Sequence, residues 1–207
     1  KNLEDYGVSI INVKNTAFQR YAKIFQRKKA DNKQDWINIR VACLRDLDLW
    51  PEAAETCHIK KKLDKNKNYW LAEDEKERKT QINGKKEKLK QDIEEQNVRV
   101  FVSDEWTYEY CLIKAGLKKE VFTASNPEIK KENIDDALEK ITGTEDEIAA
   151  QIFAQINKTD CAYQLAEILK NDYTEKSKEL KGKLPQYILD AFEYIIPSTP
   201  LSSEKID

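Results

Sequence analysis

Asp46-Leu47-Asp48 offers two carboxylates one residue apart, a spacing that lets both turn to the same side and share a divalent cation. Hard oxygen donors of this kind suit magnesium or manganese, which keep several waters and meet phosphate oxygens. The same three residues would also make a solvated loop, because so short a pattern recurs by chance. Their position argues for more. An apolar, β-rich run from Ile37 to Leu44 precedes them and reads as a buried strand. Leu49-Trp50-Pro51 follows at once, and Pro51 discourages continuation of regular structure. In an α/β sheet, ligands collect just past the carboxyl ends of the strands.

Two further segments carry chemistry. Ser103-Asp104-Glu105-Trp106-Thr107-Tyr108-Glu109-Tyr110 follows a strand-like run and opens a helix. Ser103 suits an N-cap, and Asp104 and Glu105 suit a first helical turn, where carboxylates complement the macrodipole. Glu109 lies beside the apolar stripe of Trp106, Tyr110 and Ile113, where an acid needs a cation or strong hydrogen bonds. A metal at Asp46 and Asp48 would supply that compensation, so the three acids are expected to converge. Lys158 stands just before the helix expected at 159–171, where it gains nothing from the helix dipole. It could offset charge on a transferred phosphate, or simply be one of many solvated lysines.

The elements that must position these residues are legible from periodicity. Residues 8 to 13 read as a first strand, and Phe18, Tyr21, Ala22 and Phe25 recur at helical spacing. Residues 37 to 45 make a second strand, and Val98, Val100 and Val102 alternate with Arg99, Phe101 and Ser103 in a third. Helices are expected near 105–115, 133–141, 145–156, 159–171 and 185–196. Strands alternating with helices indicate an α/β fold with a parallel sheet. Between Ile59 and Gln96 the composition turns to Lys, Glu, Asp and Asn, which suggests a charged helical hairpin turning at Asn83-Gly84. Lysines beside Tyr69 and Trp70 could grip a nucleic-acid backbone, although interleaved acids cancel most of their field. The chain then divides into a core at 1–58, the insertion at 59–96, a second core part at 97–124, a helical part at 125–196 and a polar tail at 197–207.

Composition sets limits on function. The formal net charge of −2 gives no global attraction for nucleic acid, so DNA contact would need local basic patches or metal ions. No long apolar span and no signal-peptide pattern is present, in keeping with a cytoplasmic protein and no membrane partner. Cys43, Cys57, Cys111 and Cys161 lack zinc-ribbon spacing and read as buried free thiols. His58 is the only histidine, which excludes a two-histidine metal site within the chain.

Taken together, the segments Gly7 to Phe18, Val41 to Pro51, Val100 to Tyr110, Lys158 to Ala166 and Leu184 to Ala191 resemble the Toprim nuclease domain of OLD-family (overcoming lysogenization defect) ATP-dependent endonucleases. The resemblance covers most of the chain outside the charged insertion. It implies a Toprim-like, mostly parallel sheet flanked by helices, and a two-metal site for magnesium or manganese. Asp46 and Asp48 match the family's Asp-x-Asp motif, and Thr107 and Glu109 its Thr-x-Glu motif. The active-site lysine maps to Lys158, with Lys176 and Lys178 as runners-up. DNA is the implied substrate, ATP enters only through an N-terminal ATPase domain, and the full-length protein is expected to be a homo-oligomer. A helicase partner and a role in phage defence belong to the same family association.

One departure is large. The family's Toprim domain begins with a strand carrying a glutamate metal ligand, which would precede Lys1; Glu4 lies in the wrong context. The chain is therefore expected to be the carboxyl-terminal piece of a longer nuclease, inactive alone, with nicking restored by the upstream segment. Primases and topoisomerases share acidic Toprim strand ends but do different chemistry. A non-catalytic Toprim-fold module for assembly or DNA docking is the alternative from another functional class.

Overall fold

A computed structural model describes residues 3–13, 18–29, 32–57, 70–91 and 93–196, with only the backbone described at 55–57, 158 and 159. His58, residues 59–69 of the charged insertion and the polar tail at 197–207 lie outside the described residues. In chain order the elements are α1 (Phe18–Ile24), β1 (Val41–Arg45), α2 (Glu75–Gln91), β2 (Val98–Val102), α3 (Tyr108–Leu112), α4 (Lys118–Ser125), α5 (Ile134–Glu139), α6 (Glu145–Phe153), α7 (Lys158–Tyr173), α8 (Ser177–Gly182) and α9 (Gln186–Ile195). The fold is mixed α/β with a small parallel sheet. Contacts divide it into two compact units of interleaved segments: unit 1 is Lys1–Arg45, Lys85–Val102 and Gln186–Asp207, and unit 2 is Asp46–Gly84 and Ser103–Pro185.

In unit 1, β1 and β2 pair in parallel, with Val41 opposite Val98, Cys43 opposite Val100 and Arg45 opposite Val102. Successive strand residues face opposite sides, so one face carries Cys43, Val98, Val100 and Val102 into the core, with Val41 half-buried at its end. The other carries Arg99 and Phe101, and α9 packs on both strands. Gln96, just before β2, holds the segment that follows α1: its side-chain amide accepts from Arg27 N at 3.0 Å and donates to Arg27 O at 2.8 Å. The parallel pairing agrees with the alternation in the sequence.

Two expectations for local structure fail. Residues 8–13 form no strand; Ile10 is 82% and Ile11 61% exposed, and among the described residues no ladder partner faces them. A β pattern supplies side chains of the right period, but a strand also requires a neighbour for its backbone groups. The hairpin turn at Asn83-Gly84 is absent too, since α2 runs unbroken through both residues. Asp74 caps this helix through Lys76 N at 3.0 Å and Glu77 N at 2.9 Å, and Lys79 pairs with Glu75 at 2.6 Å. A run of Glu, Lys, Arg and Gln outweighs a single glycine penalty of about 1 kcal/mol.

Unit 2 is helical. Thr144 and Glu147 form a capping box that starts α6, which buries Ala149, Ala150 and Ile152. A π turn at Ile113–Leu117 links α3 to α4, and α4 packs against α7. Gly116 holds a positive φ of 121° in that turn, and a Cβ there would meet Lys183 Cγ at 3.3 Å. Cys43, Cys111 and Cys161 are buried free thiols, as their apolar settings suggest. Among the described residues, no helix is long and apolar enough to cross a membrane.

Candidate functional site

The acidic motifs lie on two loops of unit 2, each following directly on a strand: Asp46 succeeds Arg45 of β1, and Ser103 succeeds Val102 of β2. Apolar residues fix the first loop. Leu47 is 0% and Leu49 2% exposed, while Asp46 is half-buried and Asp48 exposed. Asp48 adopts a left-handed φ of 54°, a conformation that aspartate tolerates better than most residues, and its N–H donates to Trp106 O at 2.9 Å. Trp50 continues the anchoring, with its ring centroid 4.7 Å from that of Trp106 and 6.0 Å from that of Trp70.

The second loop is fixed from below by Trp106, only 2% exposed, which also packs on Phe153 at 4.3 Å and Tyr110 at 5.4 Å. Ser103 is not the expected N-cap. Its buried hydroxyl accepts from Leu47 N at 2.8 Å and donates to Glu105 O at 2.7 Å, tying the two loops together. Thr107 takes the capping position instead, with Oγ1 accepting from Tyr110 N at 3.4 Å. The helix thus begins at Tyr108 rather than near 105, and Asp104 and Glu105 precede it. Glu105 pairs with Lys114 at 2.5 Å, and the same ammonium reaches Asp146 at 2.8 Å. Burial lowers the affinity of Lys114 for its proton, but the hydrogen bonds it donates to Asp146 and Glu105 outweigh it and leave the ammonium above the ordinary lysine range.

The motifs meet at the start of α3. Tyr108 N donates to Asp46 Oδ1 at 2.8 Å, so this carboxylate sits at the positive end of the helix that bears Glu109. Burial raises the Tyr108 hydroxyl pKa, and the nearby Glu109 charge raises it further. Glu109 also acts on Cys161 of α7, whose thiol is held up mainly by burial, offset in part by its Ser125 contact. Lys158 opens α7, its side chain lying outside the described residues; Lys176 and Lys178 are exposed at the start of α8.

Asp46, Asp48 and Glu109 offer hard oxygen donors suited to Mg²⁺ or Mn²⁺. Among the described residues, no group of three or more His, Cys, Asp or Glu side chains is gathered closely enough to hold a metal. Sequence reasoning missed the Ser103 tie, whose partner lies 56 residues away, and the Glu105–Lys114–Asp146 cluster. No local pattern announces either contact. A comparison with protein-family models, curated proteins and solved structures finds no match to this chain.

Proposed function

We propose that this chain carries the Toprim-type part of a cytoplasmic, divalent-metal-dependent endodeoxyribonuclease of the ATPase–nuclease kind. The hydrogen bond from Tyr108 N to Asp46 Oδ1, at 2.8 Å across 62 residues of sequence, is the observation that supports this reading most. It joins the Asp-x-Asp loop to the start of the helix carrying Thr-x-Glu, a meeting that the metal reading requires and a pair of solvated loops does not. Asp46, Asp48, Thr107 and Glu109 would hold the cation together with the glutamate-bearing strand that the resemblance implies upstream of Lys1. Lys158 would offset charge on the phosphate undergoing attack. A bound cation would supply an activated water and Lewis-acid stabilisation of the leaving oxygen. The test is Mn²⁺ titration of a chain that includes the upstream glutamate-bearing segment, followed by electron paramagnetic resonance. Asp46→Asn combined with Glu109→Gln keeps an acceptor for the Tyr108 amide and should weaken binding at least about tenfold, the effect of about 1.4 kcal/mol. Wild-type binding no tighter than that of the double variant overturns the assignment.

A second reading, a non-catalytic Toprim-fold docking module, is favoured by one observation. Asp46 and Thr107 both accept backbone amides at the start of α3, so structure alone gives them employment. Plasmid nicking in Mn²⁺ by a chain that includes the upstream glutamate-bearing segment separates the two readings, because a docking module binds DNA equally well with chelator and cuts nothing.

A further inference from the structure

Unit 1 contains a groove of about 1000 Å³ whose lining includes Lys33, Trp36, Arg40, Lys90, Arg99 and Tyr194. Its centre is an ordered stack of cations on an aromatic ring: the Arg40 guanidinium lies 5.7 Å and that of Arg99 6.0 Å from the Tyr194 centroid. Backbone carbonyls hold the pieces in place. Arg40 Nη1 donates to Tyr194 O at 3.0 Å, Arg99 Nη1 to Gln96 O at 2.9 Å, and Tyr194 OH to Asn97 O at 2.8 Å. These bonds use only Nη1 of each guanidinium, which has five N–H donors in all. Lys33 lies over Trp36 at 5.9 Å, and among the described residues neither Lys33 nor Lys90 is paired with a carboxylate.

Three carboxylates share the lining, so its formal charge is four cations minus three anions, or +1. Two of them are engaged locally: Glu94 Oε1 accepts from Val100 N at 2.7 Å, and Asp190 Oδ1 from Gln186 Nε2 at 2.7 Å. So small a surplus does not suit a duplex, whose binding depends on neutralising many phosphates. Aromatic faces set among a few cations suit unstacked bases with short stretches of backbone.

We propose that this groove binds single-stranded nucleic acid, with a base on Trp36 and phosphates against Lys33, Lys90 and the outer edges of the guanidinium groups. The site needs no metal and stands apart from the nuclease reading. Fluorescence anisotropy of the full chain in EDTA, with labelled oligothymidylate and oligouridylate as separate arms, therefore tests it independently of cleavage. The expected result is tighter binding of at least one single strand than of a duplex of equal length. Trp36→Ala should weaken that binding about tenfold. Lys33→Ala with Lys90→Ala should reduce the slope of log affinity against log salt by about 1.4. Should Trp36→Ala lose its circular dichroism signature, the lysine pair decides. Absence of single-strand binding, equal affinity for duplex, or an unchanged salt slope in the lysine variant overturns the proposal.

Discussion

Replacing Asp46 by alanine deletes the acceptor for the Tyr108 amide at the start of α3, and should cost about 1 kcal/mol, as loss of a cap does. Asp46→Asn should retain most of that stability while removing the charge, and urea unfolding of both variants checks the contrast. Ser103→Ala should cost more, about 1–3 kcal/mol, because it leaves the buried Leu47 N–H without its acceptor. Burial also shapes the alkaline response. The ordinary cysteine value is 9.0, but desolvation pushes Cys43 up to about 11 and Cys111 up to about 12. Unfolded chains therefore release these protons first. The associated stability is fully present below about pH 9 and is lost as pH rises through 11 and 12. Thermal midpoints measured against pH should show this fall, and Cys43→Ala with Cys111→Ala should flatten it. The alternation of Leu47 and Leu49 with Asp46 and Asp48 was legible in the sequence, because it is a local periodicity. The role of Ser103 was not, since hydroxyls cap, bridge and face solvent with equal ease and only the folded partner distinguishes these uses.

Helices with strong local signals matched their sequence patterns best. The Thr144-x-x-Glu147 box starts α6 within the expected 145–156 segment, and α7 and α9 follow their apolar spacing. α3 begins later than expected because Thr107, rather than Ser103, captures the helix amides. α2 shows the opposite failure: Asn83-Gly84 reads as a turn, yet the flanking residues are strong helix formers. Nothing lies within 4 Å of a Cβ built on Gly84. Gly84→Ala should therefore stabilise the protein by about 0.5–1 kcal/mol and raise the helical circular dichroism signal. A loss of stability would mean that the chain turns there after all. Residues 8–13 carry a strand pattern without a strand, for the pattern records side-chain preference and cannot encode whether a neighbouring backbone is present to pair with.

The parallel relation of β1 and β2 was foreseeable from strand and helix alternation, but the grouping of the whole chain into interleaved units was not. It depends on contacts such as Arg40 with Tyr194, which are 154 residues apart. Arg99 and Phe101 did leave a trace: a parallel strand usually wants cover on both sides, so a guanidinium on one face hints at a neighbour that can accept it. That neighbour is α9, which buries Tyr187, Ile188 and Ala191. Interleaving has a consequence for birth on the ribosome. The segment from Gln186 leaves the exit tunnel only after both segments of unit 2 have been made. Until then the nascent chain holds β1 and β2 without the helix that covers them, a bare ledge for chaperones to guard.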